Sequence, residues 1–129
     1  MKNMFVYGSL KKGFFNHSLI EENPRNRFIR KGFITGYNLY LLWSYPGVKP
    51  SPSQEDKVFV ELYSLTDEVF ERIDKMEQRA GYTSVKVEDD EGKEGIIYVY
   101  NGKFEEKNKV IFGNWTKDHE KLKIVEGLV

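Results

Sequence analysis

Most of this chain consists of short apolar runs, and only one longer stretch carries a sustained helical period. In 67–78 the apolar residues Val69, Phe70, Ile73 and Met76 recur at three- and four-residue spacing, one face of a helix. Thr66 suits the N-cap of that helix, Asp67 and Glu68 favour its positive end, and Gly81 lies just beyond it. The other runs have strand length and are rich in β-branched and aromatic residues. They cover 3–7, 27–43, 58–63, 82–88 and 95–100, with a final run at 110–112. Gly32 and Gly36 interrupt 27–43, which reads as one bent strand or as two. A polar hairpin loop, 89–93, joins the strands at 82–88 and 95–100. A shorter helix of two turns fits 16–22, stopped by Asn23 and Pro24. The proline-rich stretch 45–52 is expected to be an ordered loop outside regular structure. The charged tail, 117–129, has room for a short helix. Strands outnumber helices, so the expected fold class is α+β: a small mixed-strand β-barrel flanked by helices, one domain over 1–129.

The charge balance narrows the partners. Twenty basic and 20 acidic residues cancel, which leaves no electrostatic footprint for nucleic acid or an anionic membrane. No cysteine is present, which excludes disulfides, thiolate catalysis and cysteine-based zinc sites. His17 and His119 are too few and too far apart to suggest a metal centre. No apolar stretch approaches the roughly 20 residues of a membrane span, and Met1-Lys2-Asn3 is not a signal peptide. The expectation is a cytoplasmic monomer or weak homodimer with no cofactor, metal, membrane or nucleic-acid partner.

Two features suggest chemistry. Tyr7-Gly8-Ser9-Leu10 follows the strand at 3–7 and precedes a helix, a place where backbone N–H groups are left to hold an anion. Glu77 falls four residues after Ile73 and eight after Val69, at the edge of the apolar face. Partial desolvation and the negative end of the helix dipole should both favour its protonated form, as suits a general acid/base; fraying of the helix before 77 would instead leave it solvated. Tyr82, Tyr98 and Tyr100 sit on strands, where they line a polar pocket or serve as wall aromatics. Ser9 with His17 as its base is a weak nucleophile arrangement, lacking the elbow motif and an orienting Asp. Lys11 and Lys12 are an anion-steering pair or a solvated one. His119 is expected to be exposed, Trp115 to plug the barrel, and Asp89 and Asp90 to carry no chemistry.

Further motifs share an order with a known family. Phe5-Val6-Tyr7-Gly8-Ser9-Leu10-Lys11-Lys12-Gly13 with Asn16-His17 resembles the opening of the γ-glutamylcyclotransferase-like superfamily. Tyr45-Pro46-Gly47, Glu61-Leu62-Tyr63, Ile73-Asp74-Lys75-Met76-Glu77, Tyr82, Ile97-Tyr98-Val99-Tyr100 and Gly113-Asn114-Trp115 follow in the same order. The match is nearest to the γ-glutamylamine cyclotransferase and AIG2-like branch. The resemblance implies a small barrel, a Tyr7–Leu10 loop that holds the α-carboxylate of a γ-glutamyl substrate, Glu77 as acid/base, and a pocket lined by Tyr82 with Tyr98 or Tyr100. It implies release of 5-oxoproline by attack of the substrate's own α-amine. Val60 stands where a glycine usually precedes the Glu-Leu-Tyr strand, and Phe14-Phe15 replaces a more polar pair. These departures leave open a second reading, a non-catalytic small-molecule binding module on the same barrel.

Overall fold

A computed structural model describes residues 1–42 and 45–120. Trp43, placed at the end of an expected strand, and the tail from 121 to 129 lie outside the described residues. The strands are β1 (Lys2–Val6), β2 (Arg27–Thr35), β3 (Tyr37–Leu42), β4 (Tyr45–Pro50), β5 (Lys57–Leu65), β6 (Tyr82–Glu88) and β7 (Glu94–Tyr100). The helices are α1 (Ser18–Glu21), α2 (Asp67–Arg79) and α3 (Lys117–Glu120). The strands form one curled mixed sheet, a half-barrel, in the order β2-β5-β1-β7-β4-β3, with β6 also paired to β7. Gly36, at φ +79, separates β2 from β3, so 27–42 forms two strands. Helix α1 is shorter than the two turns expected over 16–22.

One junction positions the site. β6 pairs with β7 along its full length, from Tyr82 opposite Tyr100 to Glu88 opposite Glu94. A strand has two edges, so β1 and β4 must share the other. β1 pairs in parallel at Met4 and Ile96, and β4 pairs in parallel at Val48 and Val99. β1 therefore ends where β4 begins, and the chain leaves the sheet there through Tyr7-Gly8-Ser9-Leu10. The core beneath includes Met4, Phe5, Val6, Leu62, Ile73 and Ile97.

Two expectations are corrected. The proline-rich segment is a strand: β4 runs from Tyr45 to Pro50 in unbroken antiparallel register with β3. Pro46 and Pro50 are four residues apart, so their missing N–H groups share one edge, and the ladder to β3 can use Gly47 and Lys49. The run 110–112 is not a strand. Val110 donates its N–H to the Leu39 carbonyl at 2.7 Å, and the chain then makes a 3₁₀ turn over Ile111–Gly113. Phe112 and Gly113 both have positive φ, +71 and +63, which no strand accommodates. Gly113 is needed for space as well, since a Cβ there would lie 2.0 Å from the Lys57 carbonyl oxygen.

The hairpin tip, assigned no chemistry, has a structural role. Arg30 on β2 pairs with Asp89, Asp90 and Glu91. Asp90 Oδ1 also accepts the Phe33 N–H at 2.9 Å, and Asp89 Oδ1 accepts those of Glu91 and Lys93, each at 2.9 Å. These bonds hold the β6–β7 tip against the edge strand β2. Among the described residues no helix is long and apolar enough to cross a membrane.

Candidate active site

The loop after β1 is held from several directions. Asn16 donates its side-chain N–H to Ser9 Oγ and its backbone N–H to the Ser9 carbonyl, both at 2.9 Å. His17 Nδ1 lies 2.7 Å from the Leu10 carbonyl oxygen; a carbonyl only accepts, so this nitrogen carries the proton. Glu61 Oε1 accepts the Lys12 N–H and the Tyr63 hydroxyl, each at 2.8 Å. Lys11 Nζ donates to the Trp115 carbonyl at 2.7 Å and to Asn114 Oδ1 at 3.2 Å. Tyr7, Ser9 and Leu10 are fully buried. Among the described residues the N–H groups of Gly8 and Leu10 donate to no protein acceptor, while those of Lys11 and Lys12 are occupied.

Glu77 faces this loop from α2. Thr66 caps the helix, its Oγ1 accepting from the Val69 N–H at 3.3 Å, and Val69, Phe70, Ile73 and Glu77 form the buried stripe. The helix does not fray before 77. It runs to Arg79, the Ala80 N–H returns to the carbonyls of Met76 and Glu77, and Gly81 turns the chain at φ +96. Glu77 has no exposed surface. Its charge reaches three tyrosines. Burial pushes the Tyr7, Tyr82 and Tyr98 hydroxyls well above their ordinary values, and Glu77 adds to each shift. Tyr7 donates its hydroxyl to the Tyr98 carbonyl at 2.7 Å, and Tyr82 donates to the Pro46 carbonyl at 2.5 Å.

The sequence-predicted residues divide into two groups. Tyr7, Gly8, Ser9, Leu10, Glu77 and Tyr82 gather at the β1–β4 junction. Tyr98 is fully buried, but its hydroxyl donates to Asp74 Oδ1 at 2.7 Å, one turn before Glu77 on α2. Tyr100 is half-buried; its ring packs edge-on against Tyr82, centroids 5.3 Å apart. Ser9 sits in the loop scaffold, and His17 spends Nδ1 on Leu10, so no Ser–His pair forms. Lys11 is buried, contrary to a solvated Lys pair, whereas Lys12 is exposed. His119 is half-buried and stacks on the fully buried Trp115, ring centroids 5.1 Å apart, because the 113–116 segment folds its tail-side neighbour back onto the indole.

Asp74 and Glu61 were missed as positioning groups. Glu61 carried a signal, a lone charge inside the strand Val58-Phe59-Val60-Glu61-Leu62-Tyr63. Asp74 carried a weaker one, three residues before Glu77 and so on a neighbouring helical position. A cavity of about 690 Å³ is not bounded by Glu77, Tyr82 or Tyr98 and lies along the Lys11–Lys12 flank of the loop. The chemical groups, more than that volume, mark the β1–β4 junction as the candidate active site.

The half-barrel of mixed strands is shared with known proteins. The family described as gamma-glutamyl cyclotransferase, AIG2-like, matches residues 4–117, and the chain belongs to that family. PH0828 of Pyrococcus horikoshii, whose name assigns it to the γ-glutamylcyclotransferases, is 35% identical over 88 residues, 68% of this chain and 70% of its own. The gamma-L-glutamyl-butirosin B gamma-glutamyl cyclotransferase of Niallia circulans is 33% identical over 81 residues, 63% of this chain and 49% of its own. The crystal structure of PH0828 superposes with a TM-score of 0.73 at 27% identity, covering 88% of this chain and 89% of that one. The mouse AIG2-like protein, at 20% identity and a TM-score of 0.67 over 84% of this chain and 82% of that one, shares the fold.

Proposed function

We propose that this chain releases 5-oxoproline from a γ-glutamyl amine or a related γ-glutamyl compound, with Glu77 as general acid/base. The observation that carries this reading is a carboxylate with no exposed surface, brought by α2 to a loop with two uncommitted backbone N–H groups. The amides of Gly8 and Leu10 would hold the substrate's α-carboxylate, as backbone donors at a strand end can. Ser9 would keep the loop in shape through Asn16. Tyr7, Tyr82, Tyr98 and Tyr100 would supply the walls, with Tyr98 reached through Asp74.

The substrate contains its own nucleophile. Glu77 takes a proton from the α-ammonium, and the freed amine attacks the γ-carbonyl carbon. A C–N bond forms and closes the five-membered ring. The ring nitrogen sheds a second proton, and Glu77 relays both protons in turn to the departing nitrogen as the old C–N bond breaks, giving 5-oxoproline and the leaving amine as its ammonium ion. Protons and electrons balance without a co-reactant. Holding amine and carbonyl together is the larger part of the task, since well-oriented intramolecular reactions reach effective molarities of roughly 10⁵–10⁸ M.

The test is 5-oxoproline release by the whole chain from a panel of γ-glutamyl amines and γ-glutamyl dipeptides, followed by chromatography. At least one compound should turn over, with the rate lost in Glu77→Gln. Absence of 5-oxoproline across the panel, or a full rate in Glu77→Gln, overturns the proposal.

A further inference from the structure

The cavity of about 690 Å³ beside the loop is not used by the chemistry above. It lies between β2, β5, the Lys11–Lys12 flank and the segment 114–117. Its volume is that of a small-molecule site, about 300–1,000 Å³. Its wall carries five cationic side chains and two carboxylates; Arg30 is matched by Asp89, Asp90 and Glu91, which leaves the excess on the lysines.

Both carboxylates are already engaged. Asp90 holds Arg30 and the Phe33 N–H, and Glu61 holds the Lys12 N–H and the Tyr63 hydroxyl. Lys31 stands opposite Glu61 in the β2–β5 register, yet neither it nor Lys12 makes an ion pair among the described residues. Both lysines are exposed at the cavity. The same wall presents flat apolar surface. Phe33 and Phe59 are cross-strand partners with ring centroids 6.1 Å apart, and Phe59 is 37% exposed. Lys57 Nζ stands over the Phe33 ring at 4.6 Å and the Phe59 ring at 5.7 Å, so these rings are part-covered, and the exposed lysines beside what they leave accessible match a ligand with an anionic head and a flat apolar body.

We propose that this cavity is a second ligand site, separate from the Glu77 site, for a small aromatic dianion such as an aryl phosphate monoester. Lys12 and Lys31 face its phosphate, and Phe33 and Phe59 carry its ring. The assignment does not depend on 5-oxoproline chemistry.

The probe is phenyl phosphate, titrated into the ¹⁵N-labelled chain, with inorganic phosphate and benzyl alcohol as separate arms. Saturable amide shifts are expected at 31–33, 59–61 and 114–117, with each half-ligand binding at least tenfold more weakly. Lys31→Glu, on an exposed strand position, should weaken phenyl phosphate at least tenfold, and Phe59→Ser at least threefold, each with an otherwise wild-type spectrum. Glu77→Gln should leave the affinity unchanged. Shifts that do not saturate, that centre on 7–10 and 77, or that persist unaltered in Lys31→Glu overturn the proposal. Equal binding of inorganic phosphate alone overturns the role of the rings, and with it the proposed ligand class.

Discussion

Glu77→Gln should lower activity and raise stability together. Glutamine keeps the size of the side chain and removes its charge. General acid/base groups contribute about 10²–10⁴ in rate, or about 2.7–5.5 kcal/mol of barrier at 1.36 kcal/mol per decade. The stability change has the opposite sign because Glu77 is wholly out of water. An ionised carboxylate in that position costs several kcal/mol to bury, against about 1–3 kcal/mol for an amide. Part of the difference is offset by the contacts the carboxylate makes, so a net gain of about 1–2 kcal/mol is expected at neutral pH, or about 4–8 °C in melting temperature. The measurements are kcat on the best γ-glutamyl substrate and thermal melts across pH. A variant that loses activity and also melts several degrees lower at neutral pH would show that Glu77 holds the fold together through its charge, and would refute this reasoning.

Other outcomes follow from particular bonds. Arg30 and backbone N–H groups hold Asp89 below the usual carboxylate range despite its burial, and Asp90 is lowered to about 2. A depressed carboxyl contributes stability above its unfolded value, near 3.9, and that contribution disappears as pH falls through the folded one. The melting difference between wild type and Asp90→Asn should therefore be full at pH 6 and close between about pH 4 and pH 2. Asp89→Ala removes three hydrogen bonds at the hairpin tip and should cost about 2 kcal/mol in urea unfolding. Thr66→Ala removes the N-cap of α2 and should cost about 1 kcal/mol in the same assay, with KM for the γ-glutamyl substrate little changed. Lys11→Met leaves the Trp115 carbonyl without its 2.7 Å donor and should cost about 1–3 kcal/mol in stability; preserved stability would show that another group replaces it.

Strand and helix content was legible wherever one physical rule dominated. The 3.6-residue period of Val69, Phe70 and Ile73 located α2 and placed Glu77 on its buried side without any tertiary information. β4 was obscured because proline content was weighed without its spacing: two prolines four residues apart spoil only one edge, and that edge does not face β3. At 110–112 three apolar residues suggested a strand, yet two consecutive positive φ values bend the chain away, and nothing in Ile111-Phe112 signals them. Lys11 illustrates a different limit. Its partner is a carbonyl 104 residues away, and no local pattern reveals that a lysine will be buried by a contact of such range. The tyrosines were identified as a set, but their hydroxyl partners are backbone carbonyls and Asp74, which only the assembled sheet brings near.

The shared edge of β7 also sets when the junction can exist. Tyr7 and the carbonyl of Tyr98 are 91 residues apart, and the register of Met4 on β1 against Ile96 spans slightly more chain. Contacts of that separation close late, after the loop entropy between them has been overcome. During synthesis the loop is made before β7, and the junction beside it stays incomplete until that second arm of the last hairpin has emerged. β5 can pair with β1 earlier, holding Phe5 opposite Leu62, but the place where β1 stops and β4 starts has no meaning until β7 is laid beside both. A chain halted before residue 94 would thus contain the whole loop and Glu77 without the strand that puts them in register.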